Sequence, residues 1–246
     1  MTSSGRYELK YFLPHYAADE MVDVIKAYVQ PDAHAHVTYD GVPRYTIRSV
    51  YLDNDAMRFY HEKIDGMRDR KKLRVRAYSQ PGGNDMVFLE IKHRDNTNVL
   101  KERTALPLRV ADALLGCEVH AGELALAPGA RQSAERFAHF CHFYDLRPVV
   151  NVMYERTPFV GRADESVRLT IDVNLRAEDQ RGANSLFEHR TAQPVPLPGA
   201  ILELKFDRLM PEWMRRVVRH FDLRQESISK YCHSVDAVVL KHYEML

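Results

Sequence analysis

In the stretch Lys71–Arg76, KKLRVR, the cations Lys72, Arg74 and Arg76 alternate with Leu73 and Val75. A period of two is that of a β-strand with one apolar and one cationic face. Three cations on one strand face repel each other, so either water screens them or an anion sits on them. Taken singly, such a run is usually a solvated face. It is not alone here. Glu90, Lys92 and Arg94 share a face in Met86–Arg94, with Val87, Leu89 and Ile91 on the other. Lys101 and Arg103 lie on one side of Leu100–Leu106, and Arg6, Glu8 and Lys10 on one side of RYELKYF. In Ser166–Arg176, Arg168, Thr170, Asp172, Asn174 and Arg176 face away from Val167, Leu169, Ile171, Val173 and Leu175. Tyr154 and Arg156 oppose Asn151 in Pro148–Phe159. In Ala200–Asp207, AILELKFD, parity is read as placing Glu203 and Lys205 on opposed faces, unless a bulge or strong twist intervenes. The chemistry that suits this inventory is recognition of a strongly anionic ligand by Arg forks and Lys point charges.

Other chemistries are thinned by what the sequence lacks. It has no GxxxxGK(S/T), GxGxxG, HExxH or GxSxG. Cys117, Cys141 and Cys232 are scattered, which argues against a zinc site or disulfide framework and suits a reducing compartment. His139 and His142 are three apart but lack a nearby third ligand, so they are read as ordinary histidines. A net charge of +1 over 246 residues speaks against a nucleic-acid partner. Neither a signal peptide nor a membrane-spanning apolar run is read from the chain, so a cytoplasmic location is expected.

The elements that must position these residues follow from periodicity. Pro14 stops the first strand, and helical spacing follows from Ala18 to Val29. Arg44–Asp53 is a strand of ambiguous parity, with Tyr45, Ser49, Tyr51 and Asp53 on one side. A short helix follows, capped by Asp53 or Asn54 and ending near Lys63 and Gly66. The turn Pro81–Asp85 makes a hairpin of the strands around it, and the polar Asp95–Asn98 turn leads into a third strand. Helices are predicted over Val110–Ala125, Ala130–Tyr144 and 211–222. A Pro-rich loop spans Gln193–Gly199, and a last helix opens at Ser229-Lys230-Tyr231. Seven or eight antiparallel strands with five or six helices make an α+β fold.

Two arrangements satisfy the charged faces. An open sheet would pack its apolar face on helices and wet its charged face; alternation alone puts this first. A barrel would enclose the charges and lay helices on its apolar exterior. It requires a polyanion or counter-charges inside, because burying cations at this density is prohibitive otherwise.

RYELKYFL, SVYLDN, KLRVR, EIK, KER, MYERTPF, RLTID, LELKF and SKY occur in this order along nearly the whole chain. In this the chain resembles the VTC domain, the catalytic domain of polyphosphate polymerases in the triphosphate tunnel (CYTH-like) superfamily. The resemblance implies a single tunnel domain over 1–246: an antiparallel β-barrel with helices packed outside. It implies transfer of the γ-phosphate of ATP to a growing polyphosphate chain, with Mn²⁺ or Mg²⁺. Carried over by motif position, Lys10, Arg74, Arg76, Lys92, Arg156, Arg168 and Lys230 would be catalytic. Lys63, Lys101, Tyr154 and Ser229 would bind substrate. Glu203 would be the main metal carboxylate. Glu90 would either serve the metal or pair with Lys92 or a neighbouring Arg, and Asp172 would balance Arg156 and Arg168.

The chain departs from the wider group in two places. Where the triphosphatase branch carries ExExK, the first Glu is replaced by Arg6, which fits a polymerase better than a hydrolase. Ser227 stands where eukaryotic members carry a further basic residue. With no SPX domain or membrane segment read from the chain, coupling to translocation would require a separate membrane partner. A tunnel triphosphatase and a non-catalytic polyphosphate or nucleotide sensor are the alternatives.

Overall fold

In a computed structural model, the alternating stretches form long antiparallel strands; it describes residues 6–37, 41–79, 82, 84–95 and 98–241. The expected N-terminal start Met1–Gly5, turn residues Pro81 and Gly83, and Asn96 and Thr97 lie outside the described residues. In chain order the elements are β1 (Arg6–Leu13), α1 (Ala18–Ile25), β2 (Val29–Pro31), β3 (His36–Val37), β4 (Pro43–Asp53), α2 (Arg58–Ile64), β5 (Asp69–Tyr78), β6 (Met86–Asp95) and β7 (Asn98–Pro107). There follow α3 (Leu108–Leu115), α4 (Pro128–Phe143), β8 (Arg147–Gly161), β9 (Arg168–Asp179), β10 (Gln193–Pro194), β11 (Ala200–Asp207), α5 (Glu212–His220) and α6 (Lys230–Val235). The class is α+β, as predicted.

The chain divides into two compact units. The first comprises Met1–Thr46, Tyr154–Leu175 and Pro196–Ser229. Here β11 lies between β1 and β9, with Lys10 opposite Glu203 and Glu203 opposite Thr170. Leu13, Leu169, Ile171, Leu202 and Leu204 occupy the other face and pack with Met21 and Ile25 of α1 and Met214 and Val217 of α5. Gly199, at the entry to β11, lies so close to the Leu13 carbonyl that no Cβ fits.

The second unit comprises Ile47–Met153, Arg176–Val195 and Lys230–Leu246. Strands β4, β5, β6 and β7 pair consecutively and antiparallel. Leu73, Val75, Val87, Leu89, Ile91 and Leu106 cluster with Ala111 and Leu114 of α3 and Ala134 and Phe137 of α4. The register sets Lys72, Lys92 and Lys101 in one rank across β5–β7, and Arg74, Glu90 and Arg103 in the next.

In both units helices cover the apolar faces, and much of the charged faces is withdrawn from water. Side-chain exposure is 1% for Asp172, 6% for Glu203 and 10% for Arg156 in the first unit. It is 11% for Arg76 and 15% for Glu90 in the second. The wetted charged face of an open sheet, which alternation alone puts first, is not what these residues show.

Several local expectations change. The helix predicted over Val110–Ala125 ends at Leu115, because Gly116 terminates it and Cys117 takes φ +61°. The helical spacing over 18–29 is cut at Ile25, and Val29 enters β2 instead. Asn174 adopts φ +55° inside β9, so simple alternation does not carry the face assignment on to Arg176. Glu203 and Lys205, two residues apart on a regular strand, share a face rather than opposing each other; their charges lie 3.1 Å apart.

All three cysteines are free thiols. His139 and His142 are exposed on α4. Among the described residues no helix is long and apolar enough to cross a membrane.

Candidate anion-binding site

Each unit carries its own set of buried charges. In the second unit, β5 and β6 aim Arg74, Arg76 and Glu90 at one another. The Glu90 carboxylate lies 2.6 Å from Arg74 Nε, 3.7 Å from Arg76 Nε and 3.4 Å from Arg103 Nε. The pairing expected for Glu90 is therefore present, with three guanidinium groups. Burial pushes the Glu90 carboxyl up, but Arg74, Arg76 and Arg103 together outweigh it and hold the group below its ordinary range. Arg103 also lies 3.6 Å above the Phe88 ring. Beside this set runs the rank of Lys72, Lys92 and Lys101. Like charges directly opposite one another across strands repel; Lys72 Nζ also lies 5.8 Å from the centre of the Tyr231 ring.

Tyr51 of β4 completes the set. Its hydroxyl accepts a hydrogen bond from Arg74 Nη1 at 2.8 Å. Its ring stacks on Tyr231 of α6, with centroids 5.0 Å apart. Tyr231 in turn donates to Asp53 Oδ2 at 2.6 Å. Asp53 is held by the backbone N–H groups of Asn54, Phe59 and Tyr60. The N-cap position of α2 is Met57, not the Asp53 or Asn54 expected; Asp53 and Asn54, which accepts from Arg58 N–H, satisfy first-turn donors from upstream of it. Burial still raises the Asp53 carboxyl against those four donors.

In the first unit the charges balance. Glu203 is ion-paired on three sides: with Lys10 Nζ at 3.6 Å, Arg156 Nη2 at 3.5 Å and Lys205 Nζ at 3.1 Å. Glu8 lies 3.6 Å from Lys10 on its other side. Arg156 forms a bidentate pair with Asp172, both bonds 2.7 Å. Burial lowers the Arg156 proton affinity, but Asp172, Tyr154 and Glu203 more than restore it, and the group stays fully charged. The Thr170 hydroxyl, opposite Glu203, is buried without a hydrogen-bond partner.

The predicted residues therefore fall into groups. Lys10, Arg156 and Glu203 converge in the first unit; Tyr154 joins them, with Arg156 lying 5.4 Å over its ring. Arg74, Arg76 and Glu90 converge in the second, with Lys92 and Lys101 exposed in the adjoining rank. Lys63 is half-buried in the last turn of α2. Ser229 is buried just ahead of Lys230, which opens α6 and is itself buried. Arg168 stands apart: its side chain is 51% exposed, and its ion pair is with Asp32, at 3.8 Å. Asp172 serves Arg156 as expected. Sequence reasoning assigned no role to Tyr51, Glu8 or Lys205. Once the register is known, Tyr51 faces Arg74 and Glu8 faces Lys205; the pairing was the missing signal.

A family model described as the VTC domain matches residues 5–239. The chain belongs to the VTC domain family. The match runs through both units of this VTC domain. The chain is 28% identical over 245 residues to vacuolar transporter chaperone complex subunit 4 of Trypanosoma brucei brucei, covering 83% of this chain and 30% of the relative. It is 29% identical over 227 residues to the subunit 4 of Trypanosoma cruzi, covering 77% and 28%. It is 26% identical over 237 residues to that of Schizosaccharomyces pombe, covering 81% and 33%. The chain thus spans about a third of the length of the curated relatives it matches. Two solved structures are also similar. One is a putative adenylyl cyclase from Hippeastrum with a dominant triphosphatase activity, at TM-score 0.48 and 14% identity, covering 95% of this chain and 96% of that one. The other is a protein from Pyrococcus horikoshii OT3, at TM-score 0.45 and 11% identity, covering 94% and 99%.

Proposed function

We propose that this VTC domain is a polyphosphate polymerase that transfers the γ-phosphoryl group of ATP to the end of an inorganic polyphosphate chain. The observation that carries the reading is the cation-rich face of the second unit. A single carboxylate, Glu90, stands among three arginines, and a rank of three lysines crosses the same face. Such a surface is relieved by a ligand carrying many negative charges in a row. Membership of the VTC family and similarity to the subunit 4 relatives support the same choice.

The reaction needs little covalent help from the protein. A terminal phosphate oxygen of the chain attacks Pγ, the bond from Pγ to the β–γ bridging oxygen breaks, and ADP leaves with that oxygen. The attacking oxygen is already anionic, so a general base is dispensable. What remains is positioning and charge neutralisation. Arg74, Arg76, Lys92, Lys101 and Lys10 bind phosphate oxygens. Arg156, held by Asp172 and Glu203, presents a fixed cation. Lys63, Tyr154, Ser229 and Lys230 complete the proposed substrate contacts, and Arg168 contributes at the start of β9. Glu90 acts as the counter-charge that keeps three guanidinium groups together.

A divalent cation, Mn²⁺ or Mg²⁺, would supply charge neutralisation for the phosphates, and Glu203 would hold it. The donor chemistry fits a hard cation: the carboxylates of Glu203 and Glu8 flank Lys10, and water and phosphate supply the remaining oxygens. Among the described residues no group of three or more His, Cys, Asp or Glu side chains forms a protein-only cage. The relatives are named as subunits of a vacuolar transporter chaperone complex, which supports action together with a separate partner; a membrane's cytoplasmic face is the location proposed.

The test is incubation of the purified chain with ATP and Mn²⁺. Long chains that survive proteinase and are degraded by exopolyphosphatase are expected, with ADP in step. Free phosphate or pyrophosphate as the main product overturns the polymerase reading in favour of a hydrolase. Binding without turnover in any metal leaves only a sensor.

A further inference from the structure

We infer that Tyr51 is a positioning residue, whose hydroxyl fixes the Arg74 guanidinium in the orientation that binds the polyanion. The inference deepens the proposed function and rests on its claim that this face takes a phosphate chain. Arg74 is held at two separate nitrogens: Nε donates to Glu90 Oε2 at 2.6 Å, and Nη1 donates to Tyr51 Oη at 2.8 Å. Two acceptors on different strands, β4 and β6, fix the plane of a guanidinium on β5. The Glu90 carboxylate is shared with Arg76 and Arg103, whereas Tyr51 Oη meets Arg74 from the opposite neighbouring strand. An arginine pre-aimed in this way loses little conformational entropy when an anion arrives.

Tyr51 is itself rigid. The residue is 7% exposed, its ring is stacked on Tyr231, and the Arg74 guanidinium lies 5.6 Å from the ring centre. Tyr231 is anchored to Asp53, and Asp53 to the first turn of α2. The aim of Arg74 is thereby set by a relay from β4, α6 and α2. Because Arg74 donates to Oη, the phenol keeps its own O–H as a donor, which suits a neighbourhood where anions bind. Burial pushes the Tyr51 phenol up, but Arg74, Arg76 and Lys230 outweigh it and hold it below the ordinary tyrosine value. The charged groups facing the hydroxyl are therefore mainly cations.

The test is a double-mutant cycle on tripolyphosphate binding by calorimetry, using Tyr51→Phe and Arg74→Ala singly and together. Tyr51→Phe keeps the ring and its stack while removing only the acceptor. It is expected to weaken binding roughly tenfold, as loss of a charge-assisted hydrogen bond does, and to raise KM for ATP more than it lowers kcat. In the Arg74→Ala background the same change is expected to cost nothing further. Val217→Ala, in the first unit's core on α5, is the structural control: it lowers the melting temperature while leaving tripolyphosphate affinity within about twofold, inside the few-tenths-of-a-kcal/mol scatter of uncoupled changes. Unchanged affinity in Tyr51→Phe, or additive losses in the double variant, overturns the inference. A wild-type protein that does not bind tripolyphosphate overturns the proposed function instead.

Discussion

Around Glu203 the carboxylates and cations are equal in number, whereas around Glu90 three guanidinium groups share one carboxylate. Around Glu203, three carboxylates, including Glu8 and Asp172, meet Lys10, Arg156 and Lys205. Around Glu90, one carboxylate meets Arg74, Arg76 and Arg103, with Lys72, Lys92 and Lys101 in the next rank. Balanced buried charges hold their geometry without a ligand. A surplus of one sign stores repulsion that a ligand of the other sign releases. The first set is thus expected to be chiefly a matter of stability, and the second chiefly a matter of anion affinity.

The largest effect should come from breaking the first set at its most buried pair. Asp172→Asn leaves Arg156 buried without its bidentate carboxylate partner, with the 3.5 Å contact to Glu203 and the Tyr154 ring to compensate. A loss of about 3–5 kcal/mol is expected in urea unfolding, in line with other broken buried pairs. If stability hardly changed, the first set would not be the self-sufficient one, and the contrast would fail.

Next in size is Arg74→Ala. Without ligand it should be close to neutral in stability, since Glu90 keeps Arg76 and Arg103 and the remaining cations repel one another less. With ATP, turnover should fall by about 10²-fold or more, the scale of losing one preorganised charge-stabilising group. A strongly destabilised but fully active variant would reverse the assignment of the two sets.

The charged face of the second unit was legible in the sequence, because β5, β6 and β7 alternate without interruption; its contrast with the first unit was not, since the charged strands were read together as one tunnel lining. Leu73 and Val75 against Arg74 and Arg76 leave one reading of which face is charged. What alternation does not encode is which residue stands opposite which. That Arg74 meets Tyr51 on one side and Glu90 on the other is a fact of strand register, set by pairing across long stretches of chain. Tyr51 was invisible for that reason, in a strand whose parity was ambiguous. The helix predicted to Ala125 failed differently: Gly116 and Cys117 end it with a local backbone turn that apolar spacing does not report. The parity given to Glu203 and Lys205 failed more simply, since residues two apart on a regular strand share a face.

Glu90→Gln sharpens the contrast through pH. The folded Glu90 carboxyl sits below its ordinary range. Its stabilising contribution is therefore complete above the unfolded value, about 4.3, and is lost as pH falls through the lower folded value. The stability gap between wild type and Glu90→Gln should be constant near neutrality and close under acid. Over the same neutral range the variant should bind tripolyphosphate more tightly, because three guanidinium groups lose their internal competitor. Weaker binding would mean that Glu90 serves the ligand directly, through a bound cation, and does not act as a counter-charge.

The smallest effect is expected at Arg168, which motif order places among the catalytic residues. Its side chain is half exposed and its ion pair with Asp32 is long. Exposed pairs of this kind contribute roughly 0–1 kcal/mol, so Arg168→Ala should unfold within that margin of wild type. Its effect on turnover then isolates a role in binding, because nothing else about the site would have moved. At the start of β9, in register with Lys205, Arg168 can meet a chain of phosphates by swinging off Asp32, but it cannot be pre-aimed as Arg74 is. A rise of a few-fold in KM for ATP with kcat preserved is the expected outcome, given that an exposed charge acts mainly on encounter and is screened by salt. A fall in kcat comparable to that of Arg74→Ala would show that a half-exposed arginine does the work of a fixed one, and that the contrast must then be drawn between ends of the strands and not between the two units.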